Sequence, residues 1–182
     1  MRFFEAGLAD CEAYLLSNEL FWRLTGSGRH PFAQKQMLTL GNLMLAKQRL
    51  QAGGLDQEGQ HLFTQLLLKY DQLRTRWRAA WERKCLRSYH HRLVQWRNFI
   101  EELRHDPADH ADRYRYEVRW RVILELLHSD LPQLDQPSIE LLAGLDAVLH
   151  ALTVPGGFIW ERRIEPGFPR NPFWYLYIQV PT

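Results

Sequence analysis

The sequence predicts a mainly α-helical fold: a bundle of five to six helices with one very long helix, bent or bridging, closed by a C-terminal aromatic β-hairpin. Three observations carry this expectation. Apolar residues recur at helical spacing over most of the chain, Gly and Pro gather at a few separated turns, and the final 25 residues become aromatic and β-branched. At 182 residues, with 46% hydrophobic and 24% charged residues and a net charge of +2, the chain suits a single globular domain and neither a disordered nor a fibrous one. The expected division is a helical bundle over residues 1–153 and a hairpin tail over 154–182.

Turn residues cluster at Thr25 to Pro31, Ala52 to Asp56, His105 to His110, Ser129 to Ser138 and Val154 to Gly157. The first helix is expected from about Leu8 to Leu24, with Leu8, Cys11 and Leu15 on one face. The second, Phe32 to about Leu50, is apolar nearly all round in its middle, which predicts a central position. Asp56 is placed to cap the third helix, and no Pro or Gly follows from Gln60 to Asp106. A continuous helix from Gln57 to Arg104 would extend ~70 Å. Its early stripe is Phe63, Leu66, Tyr70, Leu73 and Trp77; its later one, Leu93, Trp96, Ile100 and Leu103, is rotated by roughly 120°. The buried face therefore swings near Glu82 to Tyr89, where either two helices meet or one long helix passes from one set of neighbours to another; without a breaker there, one bent or bridging helix is expected.

The fourth helix is expected over Asp109 to His128 and the fifth over Ser138 to Leu152. Phe158-Ile159-Trp160 and Phe173 to Ile178 read as two strands joined by the turn-rich Glu165 to Pro172 segment. Large apolar groups on both faces of the second strand call for cover by helices or by a second copy of the chain.

Two cysteines without paired spacing, Cys11 and Cys85, suggest packing residues in a reducing, cytoplasmic setting. Apolar runs fall far short of the ~20 residues of a membrane span. Glu5, Asp10 and Glu12 interrupt any export signal at the N-terminus.

Charge is concentrated in the long helical run: Arg74 to Arg97 holds eight basic residues and one acidic residue, Glu82. Lys69, Arg76, Arg83 and Arg87 share one side of the wheel, with His90 nearby, a spacing suited to phosphates or an acidic partner. The same spacing also describes a solvated face paired with neighbouring carboxylates. Three Glu-x-x-His pairs, Glu58/His61, Glu102/His105 and Glu125/His128, match the helical spacing of dimetal sites. Their positions at helix ends suit the helix dipole better, so no metal or cofactor is assigned. Gly26-Ser27-Gly28-Arg29-His30 reads as a loop, since it lacks a Walker pattern and a preceding strand.

Seven Trp, nine Phe and seven Tyr exceed the needs of a small bundle, and Arg outnumbers Lys 19 to 4, a composition typical of interface hot spots. Phe158, Trp160, Phe173, Trp174, Tyr175 and Tyr177 are the expected interface anchors. The leading expectation is thus a non-enzymatic interaction or scaffold protein that engages a protein partner, or a second copy of itself, through aromatic and Arg-rich surfaces. One alternative is a nucleic-acid-binding accessory protein using the ridge of Lys69, Arg76, Arg83 and Arg87. The other is a metal-binding bundle using the Glu-x-x-His pairs. No catalytic residue and no small-molecule substrate is assigned.

Overall fold

The computed structural model describes residues 1–25 and 37–181. It is mainly helical, with two small antiparallel two-stranded sheets. Helix α1 (Arg2–Leu16) buries Phe4, Leu8, Cys11, Tyr14 and Leu15. It starts and stops earlier than the expected Leu8 to Leu24. Ser17 turns extended, and the Asp10 carboxylate accepts from the Thr25 N–H (2.7 Å), the Thr25 hydroxyl (2.6 Å) and the Trp22 indole (3.3 Å). These bonds fold the following segment back along α1, where β1 (Trp22–Arg23) pairs with β2 (Met37–Leu38).

Helix α2 (Leu40–Ala52) is capped by the Thr39 hydroxyl, which accepts from Asn42 N–H at 3.1 Å. Of the earlier start expected at Phe32, residues 32–36 lie outside the described residues, and Met37–Leu38 is strand. Gly41 of α2 has no room for a side chain, since a Cβ there would run into the Ile123 side chain.

The single long helix is replaced by α3 (Gln57–Arg76) and α4 (Arg78–His105), which meet at Trp77 (φ −109°, ψ 31°). Asp56 caps α3 as expected, accepting from Gly59 N–H at 2.8 Å. The joint lies upstream of the expected swing at Glu82 to Tyr89. Its position follows from anchoring on both sides: Arg74 of α3 and the Trp81 indole of α4 both bind Asp130, beyond α6. With the joint there, α3 packs on α1, while α4 packs against α1, α2, α5 (Pro107–Glu117), α6 (Arg119–His128) and α7 (Gln136–Leu152). The expected fourth helix is likewise two, α5 and α6, meeting at Val118.

The aromatic hairpin is shorter than expected. Only β3 (Val154–Pro155) and β4 (Ile178–Gln179) pair, extended by Gly156 N–H to Tyr177 O (2.9 Å) and Ile159 N–H to Leu176 O (3.0 Å). Between them lie a 3-10 turn (Arg162–Gly167), the short α8 (Arg170–Phe173) and a second 3-10 turn (Trp174–Leu176). Tyr175, Leu176, Tyr177 and Ile178 are all buried, so this stretch is covered on every side as its composition requires, although only Ile178 of the four is in a strand. One apolar cluster runs from Phe4 to Val180 and includes side chains of every helix from α1 to α8.

Candidate functional site, an arginine and aromatic cleft

A cleft of about 860 Å³ opens where α2, α4 and the α5–α6 pair converge with the tail. Helical spacing places its lining. Asn42, Leu45, Ala46 and Arg49 form one face of α2; Arg92 and Gln95 lie one turn apart on α4; Asp112, Arg115, Tyr116 and Arg119 form one face running from α5 into α6. Trp160 and Glu161 come from the tail, and Phe3, Phe21 and Met37 complete the lining.

Four arginines and two carboxylates, Asp112 and Glu161, therefore line one cavity. Arg92 is the deepest, only 3% exposed, and among the described residues no carboxylate reaches it: its hydrogen bonds go to the Gln95 amide oxygen and the Thr39 hydroxyl. Rings hold it in place. The guanidinium carbon of Arg119 lies 3.4 Å from the Tyr116 ring centroid and 4.0 Å from that of Trp120; that of Arg92 lies 4.2 Å from Trp120 and 5.7 Å from Phe21. Tyr116, Arg119, Trp120, Arg92 and Phe21 thus form a run of alternating rings and cations. The Trp120 indole N–H donates to Glu117 (2.8 Å), which polarises the ring towards its cations. At the rim, Arg49 lies over Trp160 at 4.5 Å.

This clustering is electrostatically uphill. Burial lowers the Arg92 pKa to about 10. Burial, and then the neighbouring Arg92 and Arg119's other neighbour Arg49, lower that of Arg119 to about 10. Both stay protonated at neutral pH, so the cleft presents concentrated positive charge with donors left over.

Of the other buried cations, Arg121 is matched by carboxylates, while Lys84 bonds neutral oxygens at the end of α1, away from the cleft lining. Arg121, 6% exposed, binds Asp146 through two nitrogens (both 2.9 Å) and Glu125 (3.0 Å). Lys84, 3% exposed, donates to the carbonyls of Ser17 (2.9 Å) and Glu19 (2.6 Å) beyond the end of α1.

The ridge residues Lys69, Arg76, Arg83 and Arg87 are all exposed, and none forms an ion pair among the described residues. Two lie on α3 and two on α4, on either side of the Trp77 joint. The expected interface anchors are placed differently. Trp160, Phe173, Tyr175 and Tyr177 are buried in the chain's own core, and Phe158 and Trp174 are half-buried, Trp174 stacked on His150 at 3.7 Å. These rings are spent on holding the tail down.

The Glu-x-x-His pairs are dispersed. Glu58 and His61 line a shallow surface hollow at the start of α3, Glu102 binds Arg113 (2.9 Å), and Glu125 binds Arg121. Among the described residues, no three His, Cys, Asp or Glu side chains converge as a metal site would require. Both cysteines are buried free thiols; burial pushes Cys11 up to about 12 and raises Cys85 as well. The Gly26 to His30 loop lies outside the described residues.

Sequence reasoning missed the cleft because its walls come from segments far apart in the chain. One signal was legible: Arg92 occupies the buried face of α4 between Cys85 and Trp96, where the pattern calls for an apolar residue.

Fold and site together describe a mainly helical protein with a cationic, aromatic-walled cleft. Compared with family models, curated proteins and solved structures, the chain gives no match. Among the described residues, no helix is long and apolar enough to cross a membrane.

Proposed function

We propose that the chain is a non-enzymatic binding protein whose arginine and aromatic cleft receives an anionic group. The observation that carries this reading is Arg92, a buried guanidinium given neutral oxygens and ring faces but no carboxylate. A buried charge without a counter-ion is costly, and an incoming anion supplies the missing partner. Ring contacts cover the guanidinium faces and leave edge N–H groups for forked contacts with oxyanions. Burial of the tail aromatics moves the recognition surface from the tail to this cleft. The test is a thermal-shift and calorimetric titration with inorganic phosphate and pyrophosphate, in wild type and Arg119→Gln. The reading expects saturable binding that raises the melting temperature and is weakened in the variant. No binding of either anion at ~10 mM, a concentration that would still register a very weak site, rejects it.

A second reading, a nucleic-acid-binding accessory role, draws on the exposed Lys69, Arg76, Arg83 and Arg87, which form no ion pair among the described residues. Duplex and single-stranded probes would bind with an affinity that falls as salt rises, and Arg83→Gln with Arg87→Gln would flatten that slope. A salt-independent affinity, or none, removes it.

A further inference from the structure

Resting on the anion-site reading, we infer that the cleft takes a nucleoside phosphate, with the phosphate on the arginines and the base and sugar along the rest of the lining. Size is the first argument. A bare oxyanion fills a small part of about 860 Å³, a volume in the range of sites for larger organic ligands. The ligand needs a body as well as a charged head.

The lining describes that body. Phe3, Phe21 and Ala46, each half-buried, offer apolar and ring surface, which suits a planar group. Asp112 and Glu161 are the second argument. Carboxylates beside a cluster built for anions work against a ligand that is all acceptor. They fit one that also carries donors, such as a ribose diol or an exocyclic amine. Phosphatidic acid and benzoate, which carry a charged head and an apolar body, lack such donors. Gln95 and Asn42 add amide groups at the same wall; Asn42 donates to the Met37 carbonyl (3.0 Å), which leaves its side-chain oxygen free to accept.

Three guanidiniums supply the head group's site. Arg92 is buried on α4, Arg119 half-buried on α6 and Arg49 exposed on α2, and guanidiniums carried by three separate helices suit a tetrahedral dianion better than a planar carboxylate. The same chemistry occurs in a free nucleotide and at the phosphorylated end of a nucleic-acid strand.

Calorimetry with adenosine 5′-monophosphate, adenosine, inorganic phosphate and a 5′-phosphorylated trinucleotide tests the inference. The monophosphate is expected to bind about tenfold or more tightly than phosphate alone, because base stacking adds to the ion contacts, and adenosine only weakly. Tighter binding of the trinucleotide assigns the site to a strand end; tighter binding of the monophosphate assigns it to a free nucleotide. Asp112→Asn and Glu161→Gln, both at exposed positions, give the decisive contrast. If these carboxylates meet ligand donors, the variants bind the monophosphate less tightly and phosphate no less tightly than wild type. If the carboxylates act only through charge, both affinities rise and the inference fails. Equal affinity for phosphate and monophosphate also overturns it while leaving the anion site standing, whereas failure of every anion to bind overturns both.

Discussion

Arg92 and Arg121 are buried alike, 3% and 6% exposed, and provided for in opposite ways. Arg121 holds Asp146 and Glu125 and lies 4.5 Å from the Tyr175 ring; Arg92 has the Trp120 face, the Thr39 hydroxyl and the Gln95 amide. Arg121 completes a local charge balance inside the core. Arg92 leaves one open at a cleft.

Their substitutions should therefore separate stability from binding. Arg121→Met strands two carboxylates and should cost about 3–5 kcal/mol by urea denaturation. Arg92→Met removes an uncompensated charge and should be neutral or stabilising by about 1–3 kcal/mol, while abolishing phosphate binding. Equal destabilisation by both would mean that Arg92 is structural.

The pH dependence follows from the lowered Arg92 and Arg119 values. A base whose folded pKa lies below its unfolded one, here about 10 against an ordinary 12.5, is a stability cost while charged. That cost is relieved as pH rises above about 10, so wild type should gain on Arg92→Met in that window. Phosphate affinity should hold up to about pH 10 and fall above it, as read by calorimetry across the alkaline range.

Asp135 gives an acid-side prediction. The His90 side chain (2.9 Å), then the Ser138 hydroxyl and N–H, hold its carboxyl down at about 2 from an ordinary 3.8. A depressed carboxylate stabilises above its unfolded pKa, and that contribution is lost as pH falls through about 2. Hydrogen exchange should show the first turn of α7 opening over this interval, and already open at neutral pH in Asp135→Ala.

Gly41 allows α2 to touch α6. Gly41→Ala should destabilise by about 1–3 kcal/mol through overlap with the Ile123 side chain. Adding Ile123→Ala should recover part of that loss in a double-mutant cycle, because the space given up by one side chain receives the other. Strict additivity would show that the helices shift apart instead.

Lys84 ties α4 to the end of α1. Lys84→Met leaves the Ser17 and Glu19 carbonyls without their donor and should lower stability by about 1–3 kcal/mol. The loss should appear as a reduced melting temperature with the phosphate affinity unchanged.

Local pattern was enough for much of the helical framework. The stripe Leu93, Trp96, Ile100 and Leu103 is buried as its spacing requires, Asp56 caps α3, and α7 begins within two residues of the expected Ser138. These features depend on side chains a few residues apart, which the sequence lists in order. The joint at Trp77 could not be read this way, because it is set by Asp130, a residue 53 positions away.

By itself, then, the sequence determined the helical class, the main helical segments and an aromatic tail, since periodicity, capping and composition act through neighbours along the chain. Tertiary structure decided which aromatics are core and which cations have partners. Tyr175 is buried beneath the Arg121 guanidinium and beside Phe173 and Trp174, and Arg92, Arg119 and Arg49 line one cleft only because α4, α6 and α2 converge. Charge pairing and burial depend on distance in space, and three arginines separated by 43 and 27 positions become one site only when the chain is folded.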